Sequence, residues 1–317
     1  MKTIIKNLET YLPEKVVSNF DLMKTLDTSN EWIVERTGIE RRHIVGEGEF
    51  SSDIGTKSAL KTIESSGISP LDIDAIIVAT TTSEKRCPSC AVKIQSNIGA
   101  KNAFAFDIQA ACSGFLYGLS VADSFIQSNK AKNILLVGVD TLSLFSDWTD
   151  RSTCILFGDG AGSCLVQKGD DDSKGIIATK LYSDGDKHDF ITIENSEKND
   201  YRGHLTMMGR SVFKFAIEYM YQSIDEILRE NNMTIDDIDW IIPHQANKRI
   251  LESMSKMKGI PMEKMIISIQ DHANTSSASI PLAMKDALDS GKIKNGDTIL
   301  FTALGAGLVW GSAIIKI

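Results

Sequence analysis

Short runs of aliphatic and β-branched residues alternate along this chain with longer stretches whose apolar positions recur every three or four residues. Ile76–Ala79 and Ala103–Ile108 read as strands. Ile134–Val139 is apolar on both faces, the pattern of a central strand covered on both sides. Asp53–Ser66 has the spacing of an amphipathic helix. Ser29–Arg36 reads as a short capped helix that Thr37 and Gly38 stop. No charge occurs from Cys112 until Asp123, and Phe115, Leu116, Leu119, Ala122 and Ile126 fall near helical spacing. That predicts a buried helix starting at Cys112. Ser163–Val166 is a strand after Gly158, Gly160 and Gly162, which read as a tight turn. Asp170–Lys174 is a polar break and the candidate boundary between two domains, 1–170 and 171–317. Beyond it come a strand at Ile176–Leu181, a loop-rich stretch to Met208 and a long helix from about Ser211 to Asn231.

The second part of the chain repeats the first. Asp72-Ile73-Asp74-Ala75-Ile76-Ile77 recurs as Asp237-Ile238-Asp239-Trp240-Ile241-Ile242. Ile108-Gln109 recurs as Ile269-Gln270, and Lys130-Ala131-Lys132-Asn133 as Lys292-Ile293-Lys294-Asn295. The offsets are 165, 161 and 162 residues, far too long for a solenoid. Three matches in one order at nearly one offset predict two duplicated α/β halves related by a pseudo-twofold axis. Equivalent strand ends then converge on one site. The strand ending near Ile108 leads to Cys112, its counterpart to His272-Ala273-Asn274, and the strand at Trp240–Ile242 to His244. Open α/β sheets place ligands just past such carboxyl ends.

Composition narrows the class. The 317 residues are 42% hydrophobic and 24% charged, as in an ordinary globular protein. No apolar run approaches the ~20 residues of a membrane span, and the N-terminus meets Asn7 and Glu9 too early for a signal-peptide core. Five cysteines, an odd number without a disulfide framework, suit a reducing cytosol. A net charge of −8 argues against nucleic acid or an acidic membrane as a general partner.

A thiol at the first turn of a helix feels the positive end of the helix dipole and unpaired N–H groups, which favour thiolate. The bland alternative is a buried structural cysteine. A thiolate with a histidine and an asparagine nearby suggests covalent catalysis, the latter two donating hydrogen bonds to an oxygen that gains charge. Such a set serves a cysteine hydrolase or an acyl transferase that makes a carbon–carbon bond.

Motifs spread along the chain carry a resemblance. They include Asp27-Thr28-Ser29-Asn30-Glu31-Trp32-Ile33 with Arg36-Thr37-Gly38-Ile39-Glu40-Arg41-Arg42, and Ala110-Ala111-Cys112-Ser113-Gly114. Asp150-Arg151-Ser152-Thr153 and Phe157-Gly158-Asp159-Gly160-Ala161-Gly162 follow. Gly203-His204-Leu205-Thr206-Met207, Pro243-His244-Gln245-Ala246-Asn247, Asn274-Thr275-Ser276 and Trp310-Gly311-Ser312-Ala313 complete the set. Together they resemble β-ketoacyl-[acyl-carrier-protein] synthase III, a thiolase-like fold layered αβαβα whose members start fatty acid synthesis. The resemblance implies a ping-pong reaction. Cys112 takes an acyl group from acyl-CoA, malonyl-[acyl-carrier-protein] loses CO2, and the resulting carbanion attacks the acyl-cysteine. His244 and Asn274 are implied donors to the enolate oxygen, and the backbone N–H groups of Cys112 and Ala306 an oxyanion hole. CoA enters as a substrate, with no cofactor or metal. Elongating synthases carry a second histidine where Asn274 stands, and thiolases a further cysteine that Leu304-Gly305-Ala306-Gly307 lacks.

By the same resemblance, Thr28, Trp32, Arg36, Arg151, Phe213, Asn247 and Arg249 match CoA-contacting positions. Trp32 and Arg151 would sandwich the adenine, since an indole and a guanidinium both stack on a flat base. Lys214, Gln245, Lys248, Arg249, Lys256 and Lys258 form the expected docking patch for an acidic carrier protein. A solvated helix face accounts for the same charges. The family is homodimeric, and the residue at position 87 lines the end of the partner's acyl pocket. Cys87 is small, which implies a pocket deep enough for longer or branched primers. Cys87 and Cys90 have redox or zinc spacing but lack a second pair of ligands. Cys154 and Cys164 read as core, and His272 as support for the site.

Overall fold

The structure, a computed structural model, describes residues 1–194 and 203–317. Two sheets divide the chain. The first contains β1 (Thr3–Tyr11), β2 (Ala75–Ala79), β3 (Phe104–Ile108), β4 (Asn133–Thr141) and β5 (Asp159–Lys168), in the order β1-β5-β4-β2-β3. The second contains β6 (Gly175–Ser183), β7 (Trp240–Pro243), β8 (Thr298–Gly305) and β9 (Val309–Lys316), in the order β7-β8-β9-β6. The chain passes from one to the other between Lys168 and Gly175.

The duplication is visible in the pairing. β2 runs parallel to β4, while β4–β5 and β5–β1 are antiparallel. In the second sheet β7 runs parallel to β8, while β8–β9 and β9–β6 are antiparallel. Among the described residues, β3 lacks a full counterpart; a single parallel bridge from Ile241 to Met265 stands at the equivalent place. Both β4 and β8 are buried along almost their whole length, as expected of strands covered on both faces.

Helices fill three layers. One core cluster joins the facing sides of both sheets through α4 (Gly114–Gln127) and α7 (Ser279–Asp289). A second core packs α2 (Ser51–Ser66) and α3 (Cys90–Ile98) on the outer face of the first sheet. A third packs α5 (Gly209–Glu230) and α6 (Lys248–Lys258) on the outer face of the second. This is the αβαβα arrangement. The short helix α1 (Asn30–Thr37) is capped by Ser29 and ended by Gly38 in the left-handed conformation, as its sequence requires.

Two local expectations change. Gly160 and Gly162 lie inside β5 rather than in a turn. A Cβ on Gly162 would stand 2.5 Å from Pro281, and one on Gly160 2.9 Å from Leu282. Glycine there lets α7 press against the strand backbone. The stretch before Met208 is not loop throughout: Ile191–Ile193 pairs with Leu205–Met207.

Candidate active site

After β3 the chain enters a short 3-10 turn, Ala111–Ser113, and α4 begins only at Gly114. Cys112 therefore precedes the helix instead of sitting in its first turn. Ala111 holds a φ of 44°, a left-handed conformation that a side chain adopts only under strain. Gly305 closes against it, where an added Cβ would stand 2.7 Å from the Cys112 nitrogen and 3.0 Å from the Ala111 Cβ. Burial pushes the Cys112 thiol up to about 12. The Ser276 side chain and the residue's own N–H pull the other way, and Asp140 adds to the rise. Against the thiolate expected from a helix start, burial is the largest influence on Cys112 and favours the thiol.

His244 follows β7 and is 2% exposed. Its N–H donates to the Thr302 carbonyl at 2.8 Å, which continues the parallel pairing with β8. Burial pushes the imidazole down to about 3, so the ring is neutral at any physiological pH and acts as a donor or acceptor, not as a cation. Its Nδ1 lies 2.6 Å from the Ser279 hydroxyl.

Asn274 is buried between two backbone bonds, its N–H donating to the Leu156 carbonyl and its carbonyl accepting from Gly158. Its Oδ1 accepts the Ser276 N–H at 2.9 Å. The amide oxygen is thereby occupied, and Nδ2 is the group left to donate. Ala273 and Ser276 on either side have φ of 57° and 51°, a second strained turn. A fully buried carboxylate holds this turn in place. Asp140, at the end of β4, accepts from the Ser277 N–H at 3.1 Å and its hydroxyl at 2.8 Å. Its other oxygen accepts from Thr80, Thr81 and Thr82.

Cys112, His244 and Asn274 line one cavity of about 780 Å3, together with Ala306, Phe213 and Asn247. Leu142, Leu156, Phe157, Leu205 and Met207 give it an apolar wall. Among the described residues, no three His, Cys, Asp or Glu side chains are grouped to hold a metal ion.

The remaining expected contacts fall into two surface groups. The Trp32 ring has the Arg151 guanidinium carbon 5.1 Å and that of Arg36 5.5 Å from its centroid. Arg151 also donates to the Asp27 carbonyl. Thr28 Oγ1 is buried without a partner among the described residues. Asn247 connects this group to the cavity, since its Nδ2 donates to the Arg36 carbonyl at 3.1 Å while its Oδ1 caps α6 through Arg249. The second group is cationic. Lys248, Arg249 and Lys256 are exposed on α6, whose other face buries Ile250, Leu251 and Met254; Lys214 is exposed on α5. The Lys258 side chain lies outside the described residues. Gln245 does not belong with them. It is 1% exposed, its amide NH2 donates to the Pro243 and Ile266 carbonyls, and its Oε1 accepts the Ser268 N–H. Cys87 is exposed and does not line this chain's own cavity.

Three residues that position the site were not singled out from the sequence: Ser276, Ser279 and Asp140. Asp140 had a legible signal, a lone charge closing the otherwise apolar Ile134–Val139 run. The serines had none, because one hydroxyl in Asn274-Thr275-Ser276-Ser277-Ala278-Ser279 looks like another until the turn is formed.

Family models described as 3-oxoacyl-[acyl-carrier-protein] synthase III and its C-terminal part match residues 106–185 and 228–317. The β-ketoacyl-[acyl-carrier-protein] synthase III of Ehrlichia canis is 49% identical over 317 residues, 100% of this chain and 99% of that one. That of Wolbachia pipientis wMel is 49% identical over 315 residues, 99% of each chain. Among solved structures, 3-oxoacyl-[acyl-carrier-protein] synthase III from Aquifex aeolicus superposes with a TM-score of 0.95 at 43% identity, covering 99% of this chain and 100% of that one. The enzyme from Pseudomonas aeruginosa gives 0.94 at 37% identity, covering 100% and 98%.

Proposed function

The chain belongs to the 3-oxoacyl-[acyl-carrier-protein] synthase III family, and from that membership we propose how its site works. The enzyme condenses an acyl-CoA primer with malonyl-[acyl-carrier-protein], giving 3-oxoacyl-[acyl-carrier-protein], CoA and CO2, the first condensation of fatty acid synthesis. The Cys112 sulfur attacks the primer thioester, its proton leaves with the CoA thiolate, and an acyl-cysteine remains. Malonyl thioester then loses CO2. The electron pair left on carbon is held as an enolate by hydrogen bonds from His244 and the Asn274 amide, and the carbon attacks the acyl-cysteine; the tetrahedral intermediate collapses, the carbon–sulfur bond breaks, and the expelled Cys112 thiolate takes a proton from water. The N–H groups of Cys112 and Ala306 stabilise the tetrahedral oxyanion. Each such donor is worth about 3–4 kcal/mol. Loss of CO2 drives bond formation, so no cofactor is called for.

The observation that carries this reading is the convergence of a cysteine, a neutral histidine and an oriented asparagine amide on one cavity. A carboxylate pair or a charged histidine would suit hydrolysis better; a neutral donor suits an enolate.

Trp32 and Arg151 receive the CoA adenine. A base between them needs about 7 Å, two stacking contacts of ~3.5 Å, so Arg151 swings outward by about 2 Å on binding. Arg36, Thr28, Phe213, Asn247 and Arg249 line the path inward. The exposed cations Lys214, Lys248, Arg249 and Lys256 receive the acidic carrier protein, an attraction that salt weakens. The enzyme works as a homodimer. In support, β3 is a sheet edge that carries Phe104, 44% exposed and stacked on Phe106, and a bare apolar edge invites strand pairing. Its compartment is the cytoplasm: all five cysteines are free, and among the described residues no helix is long and apolar enough to cross a membrane.

Intact-protein mass spectrometry after incubation with a panel of acyl-CoAs tests the first half-reaction, and addition of malonyl-carrier protein the second. Acyl mass on Cys112 followed by 3-oxoacyl-carrier protein is the expected result. Free acid without carbon–carbon bond formation would establish a hydrolase instead.

A further inference from the structure

A neutral imidazole donates from only one nitrogen, and which nitrogen carries the proton is set by the partner of the other. The partner of His244 Nδ1 is the Ser279 hydroxyl, 2.6 Å away, on the first residue of α7. Ser279 is 1% exposed. Its oxygen has one further neighbour among the described hydrogen bonds, the Gln245 N–H at 3.4 Å, which is a donor. The hydroxyl therefore accepts from Gln245, and the single acceptor its own proton meets is His244 Nδ1. Gln245 is itself immobilised, since its side chain is tied to Pro243, Ile266 and Ser268.

We propose that Ser279 is a positioning residue that holds His244 in the Nε2–H tautomer, so that the ring presents a proton to the cavity. The choice of a hydroxyl matters. A carboxylate in its place would draw the proton to Nδ1, leave Nε2 as an acceptor and favour imidazolium. A hydroxyl whose oxygen is already hydrogen-bonded does the reverse and adds no charge. The device parallels the one at Asn274, where the Ser276 N–H occupies Oδ1 and so turns Nδ2 to donate. One strained segment, 274–279, thus sets the polarity of both side chains.

The inference rests on the enolate-donor role given to His244, but its first test does not depend on the reaction. In full-length protein labelled with 15N-histidine, the His244 resonances, identified by comparison with His244→Ala, report the tautomer directly. An Nε2–H pattern is expected in the wild type, and an Nδ1–H pattern overturns the proposal. Ser279→Ala should then cut malonyl decarboxylation about tenfold or more, leave the rate of Cys112 acylation within about twofold, and shift the His244 resonances. Ser279→Thr, which restores the hydroxyl, should recover the Nε2–H pattern and most of the rate. Unchanged decarboxylation in Ser279→Ala, or an equal fall in acylation, overturns the assignment. A wild type that shows the Nε2–H pattern yet makes no condensation product sinks the enolate role instead.

Discussion

Replacing Asp140 by asparagine keeps size and shape and removes one acceptor. The wild-type carboxylate is fully buried and meets only donors, from Thr80, Thr81 and Thr82 on one oxygen and from Ser277 on the other. No cation pairs with it among the described residues. The asparagine oxygen will face the threonines, where more donors converge, and its NH2 will face Ser277. The Ser277 hydroxyl can adapt, because it already reaches the Ala79 carbonyl at 2.9 Å. Its backbone N–H cannot, and is left buried opposite another donor. One unpaired buried N–H costs about 1–3 kcal/mol. At roughly 2 °C per kcal/mol for a chain of this size, Asp140→Asn should lower the melting temperature by about 2–6 °C. Catalysis should suffer more, because Ser277 adjoins Ser276, whose N–H orients Asn274. A displacement of ~1 Å there is worth up to about a hundredfold. Calorimetry and a malonyl-decarboxylation assay, with Cys112 acylation followed by mass, measure both effects. A variant with unchanged melting temperature and unchanged decarboxylation would refute the anchoring role.

Other outcomes follow from the same geometry. Because burial raises the Cys112 thiol to about 12, the protonated form dominates below that pH. Its alkylation by iodoacetamide should climb about tenfold per pH unit from 7 to 10; a plateau near pH 8 in peptide-resolved mass spectrometry would contradict this. Gly305→Ala places a Cβ 2.7 Å from the Cys112 nitrogen, so acylation should fall by roughly a hundredfold or more, and near-normal labelling would show that the turn can yield. Cys87→Phe should slow butyryl-CoA relative to acetyl-CoA by about tenfold or more if this exposed side chain enters a partner's pocket; an unchanged ratio counts against that placement.

Much of the site was legible because catalysis needs particular functional groups, and these stand out against their surroundings. Cys112 and His244 each follow a short apolar strand, whereas the strand expected before Asn274 is a single bridge at Met265 followed by a short helix, Ile269–His272. The double cover of Ile134–Val139 and the capping of α1 were equally plain, since both follow from local pattern. Errors arose where sequence neighbours resemble a familiar local motif. Gly158, Gly160 and Gly162 look like a turn, yet Gly160 and Gly162 lie in β5 because α7 presses on it. Gln245 adjoins the cationic residues of α6, yet it is locked inside.

The sequence by itself carried the fold and marked Cys112, His244 and Asn274 as the candidate nucleophile and donors, through internal duplication, residue type and the motifs that resemble the family. The tertiary structure decided their states. Whether Cys112 rests as thiol or thiolate depends on how much water reaches it, and burial favours the thiol. Which nitrogen of His244 and which end of the Asn274 amide faces the cavity depends on Ser279 and Ser276. Their hydrogen bonds exist only once two strained turns are closed and hung from Asp140. Desolvation and hydrogen-bond polarity belong to the packed surroundings of a group, and no stretch of chain specifies them alone.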